Sequence, residues 1–289
     1  MARAICTISV VLTFLTATMA HAQEGRLQRV RDEASSSGSS SNNGNNANSS
    51  NDRCSSSSSD DDCGSNNGLG VLLLPFYLPA GLLGDTYTRK MPFTPHPYAD
   101  GYRGYQILTP EWAKTYYEFD TAEVTRKDWA LRVSVENGND FDGLNRLGGQ
   151  VKLEHVSRFG IFTNWNYFHE NLPNGRSDET VIGDTNLTFR FAENEVASMY
   201  AGLGFRYLTD RQQTDFGFNF TYGGDWFPVR PLVLSGQFDA GWLGSAGVIH
   251  ARTSVGVIWQ GIEVYAGYDF LRIGDVNLQG PMAGVRFWF

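Results

Sequence analysis

From about residue 112 to the end of the chain, apolar and polar residues alternate with a period of two, segment after segment. Trp129, Leu131, Val133 and Val135 share one parity, and Ala130, Arg132 and Ser134 share the other. Successive residues of a strand point to opposite faces, so the pattern predicts strands with one apolar face. It returns at Phe159, Ile161, Trp165 and Tyr167, at Leu187, Phe189 and Phe191, at Met199, Leu203, Phe205 and Tyr207, and at Phe216, Phe218, Phe220 and Tyr222. Further on it runs through Leu232, Leu234, Phe238 and Trp242, then Ile249, Val255, Val257 and Trp259, then Ile262, Val264, Tyr268 and Phe270. The last segment sets Ala283, Val285, Phe287 and Phe289 against Gly284, Arg286 and Trp288, and the chain ends on an aromatic residue.

These segments are long. Soluble strands usually run about five or six residues, whereas crossing a bilayer at a tilt takes roughly 9 to 11. Aromatics gather near the ends of the apolar faces (Trp129, Tyr167, Tyr207, Tyr222, Trp242, Trp259, Phe289), where interfacial girdles belong. With the aromatic C-terminal signature of Phe287 and Phe289, residues 102–289 resemble bacterial outer-membrane β-barrel proteins as a class, without the motif of any named subfamily. The resemblance implies an all-β fold, an antiparallel up-and-down transmembrane β-barrel. It also implies outer-membrane lipid as surroundings, a Gram-negative-type cell, and the barrel-assembly machinery as a partner through the C-terminal strand. The competing fold is a soluble β-sandwich or ligand-binding barrel.

The connections set a strand count. Short turns at 125–128, 157–158, 192–195, 227–231 and 260–261 alternate with longer or more polar stretches at 137–147, 171–179, 209–215, 243–247 and 274–277. Turns facing the periplasm and loops facing outside would give this rhythm. Eleven strands follow from residue 112 onwards, and an even-stranded barrel needs one more, placed at 102–108. The expectation is about twelve strands, with ten as the alternative if the first hairpin lies off the barrel.

The chain before the strands is different. Residues 1–22 carry Arg3, an apolar run and Ala20-His21-Ala22, which reads as a secretory signal peptide cut before Gln23. Residues 23–34 suit a turn or two of charged helix, and the low-complexity Ser/Asn-rich region, 23–67 as a whole, is expected to be disordered. Within it Cys54 and Cys63 are disulfide candidates for an exported protein. Asp60, Asp61 and Asp62 lack a ligand cage. An apolar, Pro-rich connector spans 68–101; its first part is too short and Pro-broken to cross a membrane as a helix, so docking on the barrel or lying at the interface are its options. Preceding the first strand, the tail is expected in the periplasm.

Composition sharpens this picture. A net charge of −8 disfavours nucleic acid. A mean hydropathy of −0.31 says little, because the polar face of a barrel cancels its apolar face. The inward parity holds Arg132, Lys152, Arg190, Arg206, Arg252 and Arg286 against Glu118, Glu154, Asp239, Glu263 and Asp269. Both signs are present, so two readings stand: a narrow, porin-like small-solute channel, or a closed structural or surface-interaction barrel braced by opposite charges. No enzyme is expected. His250 and Ser254 share an inward face, but i, i+4 on a strand separates them by about 13 Å, too far for a nucleophile–base pair. His96, His155, His169 and His250 show no ligand spacing, so neither metal nor cofactor is expected.

Overall fold

A computed structural model describes residues 25–35, 67–85, 91–99, 103–107, 127–172, 175–211 and 213–289. Ten strands form a closed antiparallel barrel: β1 (Trp129–Asn139), β2 (Leu144–His155), β3 (Phe159–Asn171), β4 (Ser177–Glu193), β5 (Ala197–Thr209), β6 (Thr214–Trp226), β7 (Leu232–Leu243), β8 (Ala246–Trp259), β9 (Ile262–Ile273) and β10 (Val276–Trp288). Each strand pairs with the next, and β10 closes on β1 with Arg132 opposite Trp288 and Gly138 opposite Met282. Two helices accompany the wall, α1 (Arg26–Ser35) and α2 (Asn67–Leu83).

The count is ten, the alternative, and not twelve. The strand expected at 112–124 lies outside the described residues, as do Glu118, Cys54 and Cys63. Of the strand expected at 102–108, the described part (103–107) is no wall element. Phe93 makes single bridges to Gln106 and Lys127, and Thr94 donates to the Tyr105 carbonyl at 2.9 Å. Pro92, Pro95 and Pro97 cannot donate to a ladder. The apolar side chains of this segment go inside instead: Phe93, Tyr98 and Tyr105 cluster with Ala130, Val156, Phe227, Val233, Ile258 and Trp288 at the C-terminal end of the barrel.

The wall is apolar outside and polar inside. Leu187 and Val264 are each 62% exposed on the outer face, while inward Lys152, Arg206, Asp239 and Glu263 are buried. The expected contrast between short turns and long loops is absent. Connections at 140–143, 172–176, 210–213, 244–245 and 274–275 are comparable with those at 156–158, 194–196, 227–231 and 260–261. The strands run on into stretches whose polarity imitates loops: Arg146 and Thr180 there are buried inside, while Asn137, Ser177 and Thr214 are exposed.

α1 plugs the end opposite the C-terminus, here the far mouth. Leu27, Val30 and Ala34 join an apolar ring that includes Leu144, Phe168, Ile182, Leu208, Leu243 and Ile273. α1 therefore sits at the other end of the barrel from the start of β1; the rest of the tail before residue 67 lies outside the described residues.

α2 packs outside, against β4, with Ala80 beside Phe191 and Ala192 and with Phe76 edge-on to Phe191 and Tyr222. It stays helical over 17 residues despite Pro75 and Pro79. Pro79 has no N–H for the carbonyl of Pro75, four residues back; the Tyr222 hydroxyl donates to that carbonyl at 2.9 Å and replaces the missing bond. Just beyond α2, Asp85 meets both guanidinium nitrogens of Arg158 at 2.5 and 2.8 Å and accepts the Glu193 amide at 3.0 Å. No described helix is long and apolar enough to cross a membrane.

Candidate functional site

The site with the densest chemistry is the lumen. Near the C-terminal end, Arg132 of β1 reaches Asp225 of β6 at 2.7 Å, and Lys152 pairs with Glu154 at 3.2 Å. Arg190 reaches Glu193 at 3.2 Å and Glu154 at 3.9 Å. At the same end, Glu263 takes Arg286 at 3.0 Å and the Trp288 indole N–H at 2.8 Å. Arg206 lies 3.8 Å from both Asp184 and Asp239. Towards the far mouth, Arg146 and Arg252 share Glu136 and Asp269, at 2.5 to 3.5 Å. Every one of these side chains is buried.

Ring order gives these contacts their meaning. β1 and β6 stand on opposite sides of a ten-strand ring, as do β2 and β7. Arg132–Asp225 spans the first pair, and Gln150–Gln237, at 3.4 Å, spans the second. Opposite walls thus touch across the interior. Two internal cavities, at the far mouth and beside Trp288, measure about 20 and about 10 Å³, scarcely one water each. Inward glycines leave the room for this crossing: a Cβ on Gly148 would stand 2.8 Å from Glu136 Oε1.

The described charges expected on the inward face all lie inside: Arg132, Lys152, Glu154, Arg190, Arg206, Asp239, Arg252, Glu263, Asp269 and Arg286. Sequence reading missed Glu136, Arg146, Asp184, Glu193 and Asp225. Glu136, Asp184 and Asp225 continue the inward parity of Ser134, Asn186 and Thr221 by one or two steps, and Arg146 stands in a stretch taken for loop. Extending each strand along its parity would have found the first three.

His250 does not meet Ser254. Its Nδ1 faces Asp239 at 2.8 Å and its Nε2 faces Asp269 at 2.6 Å, so only a ring with hydrogens on both nitrogens donates to both. Among the described residues no cluster of His, Cys, Asp or Glu is arranged for a metal. At the C-terminal end, outside the strands, Tyr98 donates to the Leu232 carbonyl at 2.5 Å, and burial pushes its hydroxyl up to about 12. Burial also raises the Tyr105 hydroxyl far above its ordinary range, with the Glu154 charge adding to the effect. At the far mouth, burial works against the Arg31 guanidinium, but its bond and charge pairing with Asp178 leave it raised.

Phe287 of β10 and Phe289 just beyond it are exposed on the outer face, with ring centroids 6.5 Å apart. No protein-family model matches the chain, and no curated protein matches it. Among solved structures, the Yersinia pestis outer membrane protein Ail, determined in phospholipid bilayer nanodiscs, aligns over 55% of this chain and 99% of its own. The identity is 14% and the TM-score 0.32, too low to add weight to a fold that rests on the closed hydrogen-bond ladder. The chain resembles outer-membrane β-barrels at the level of class and architecture.

Proposed function

We propose that the chain is a membrane-spanning barrel of the outer-membrane type whose lumen is closed, so that it acts as an anchor and interaction platform rather than a channel. The observation that carries this reading is the pair of contacts between opposite walls, Arg132–Asp225 and Gln150–Gln237. Ions or solutes could pass only if that network came apart. Breaking a buried ion pair by removing one partner costs about 3–5 kcal/mol, a large barrier when several pairs lie in series. The apolar outer wall supports the membrane setting, since a continuous apolar surface of this kind aggregates in water and is satisfied in lipid. Export by residues 1–22, and engagement of the barrel-assembly machinery through Phe287 and Phe289, complete the proposal. The same reading assigns no catalysis: His250, the one inward histidine among the described strand residues, is committed to two carboxylates.

Planar-bilayer recording tests it. Folded protein, identified by a heat-modifiable gel shift, is expected to give no conductance steps. Regular steps from folded protein would restore the small-solute channel as the better reading.

A further inference from the structure

A barrel wall is convex, yet one side of this one carries a trench of about 780 Å³ across β5 to β9. Strand register shows how it is made. Gly224, Gly236 and Thr253 are direct partners on neighbouring strands and form its floor, with Met199 and Tyr268 at the ends. The row on one side is Tyr222, Phe238 and Ala251; the row on the other is Trp226, Leu234 and Val255. Two glycines in the floor and larger side chains on both flanks make the surface concave. A Cβ at Gly236 would meet nothing within 4 Å, so the floor is open there.

The trench has the length and slope of one lipid chain. Four strand spacings of about 4.8 Å separate Met199 from Tyr268, roughly 19 Å in all. One leaflet of a hydrocarbon core of about 30 Å is roughly 15 Å deep. Gly224 stands two residues from the end of β6, Gly236 four from the start of β7, and Thr253 six from the end of β8. The floor thus descends from the C-terminal rim towards the middle of the wall, as a chain hanging from its headgroup does. At the shallow end stands Trp226, the last residue of β6, and indole rings favour the headgroup level. Exposed Arg230 follows in the turn to β7, a partner for a lipid phosphate.

Other occupants fit worse. Tyr222 and Trp226, four apart on one strand, stand about 13 Å apart. Their rings take up part of that, leaving less than the roughly 10–12 Å that a helix needs. A second copy packed through the same face would set trench against trench and enclose a void. α2 is already seated, with Phe76 against Tyr222. Hydrocarbon does not prefer one apolar surface to another, so selection comes from contact. A chain in the trench touches protein on three sides, whereas a chain on the convex wall touches it on one.

We propose that this trench binds one acyl chain of a phospholipid from the leaflet at the C-terminal end of the barrel. The proposal rests on the membrane reading above.

The test uses the full chain folded in detergent micelles, palmitoyl-oleoyl phosphatidylethanolamine as probe, and native mass spectrometry as readout. Wild type is expected to retain one phospholipid after the detergent is released. Gly236→Leu with Thr253→Leu fills the floor at an open position and an exposed one. The retained fraction should fall about tenfold or more, since the chain loses its close contacts. Phe238→Ala removes one flank without filling anything and should weaken retention in the same direction. Ala283→Leu, exposed on the outer face of β10, should leave retention unchanged. The heat-modifiable shift shows that each variant is folded. Folded wild type that retains no phospholipid would overturn the proposal, as would equal retention by the Gly236→Leu/Thr253→Leu chain. A wild-type dimer abolished by that double substitution would assign the face to a second copy and overturn it too. Flotation with vesicles reports separately on the membrane reading. A chain that does not float ends both readings, whereas a floating chain without retained lipid ends only the acyl-chain site.

Discussion

The Tyr105 hydroxyl donates to the main-chain carbonyl of Phe289, the last residue of the chain, and its ring stands edge-on to Trp288 at 5.0 Å. The segment filling the C-terminal end is thereby tied to the seam where β10 closes on β1. Phe289 also exchanges hydrogen bonds with Leu131 across that seam, at 2.8 and 3.0 Å. Tyr105→Phe removes one tie and leaves the ladder, so unfolding in lipid should be easier by about 1 kcal/mol. Tyr105→Ala also removes a buried ring, at about 3–5 kcal/mol. Urea titration of the heat-modifiable band measures both. Equal effects of the two substitutions would mean that the ring contributes nothing at the seam.

Tyr98 gives a pH dependence. Its hydroxyl ionises near 10 in an unfolded chain and is pushed up to about 12 by burial in the fold. The folded state therefore keeps a proton that the unfolded state loses between those values. Stability from this group is intact below about pH 10 and declines as pH rises towards about 12. Tyr98→Phe should flatten that decline while leaving stability at pH 7 lower by about 1 kcal/mol, the worth of its bond to the Leu232 carbonyl. Unfolding midpoints at pH 8, 10 and 11.5 check the sign.

α2 is fixed to the wall at two points. Asp85→Asn should destabilise by about 1–3 kcal/mol, because buried Arg158 would lose its two-toothed charged partner and keep Glu193, at 3.1 Å. Tyr222→Phe should cost about 1 kcal/mol, by removing the donor that serves the Pro75 carbonyl. A spin label on exposed Leu78 should gain mobility in both variants. A helix that stays immobile in Asp85→Asn would show that its packing on Phe191 and Tyr222 suffices.

How much of this was legible depended on the range of the interaction. Alternation at Trp129–Val135 or Phe216–Tyr222 is local and dictated the wall directly. Charge balance on the inward parity was also visible, but not that Arg132 meets Asp225, since that contact depends on ring size and on which strands stand opposite. The count failed at 102–108 because Tyr105 and Ile107 alternate with polar residues as a strand would, and only the prolines at 92, 95 and 97 argue otherwise. α1 was visible as a short charged helix. Its seat was not, because the partners Glu170, Asp178 and Ser245 lie more than 140 residues away.

Two inward and outward glycines provide the sharpest test of a filled lumen. A Cβ at inward Gly256 would stand 2.1 Å from Glu263 Oε1. That carboxylate cannot swing aside freely, since Arg286 and Trp288 both hold it. Gly256→Ala should therefore cost about 1–3 kcal/mol by overpacking. A Cβ at Gly236, which faces outward on β7, meets nothing within 4 Å, and Gly236→Ala should fall within about 0.5 kcal/mol of wild type. Adding Glu263→Gln to Gly256→Ala should give a total that departs from the sum of the singles, because both act on one carboxylate. Equal costs at the two glycines, or strict additivity with Glu263→Gln, would mean that the interior has slack, and a lumen with slack could pass small solutes.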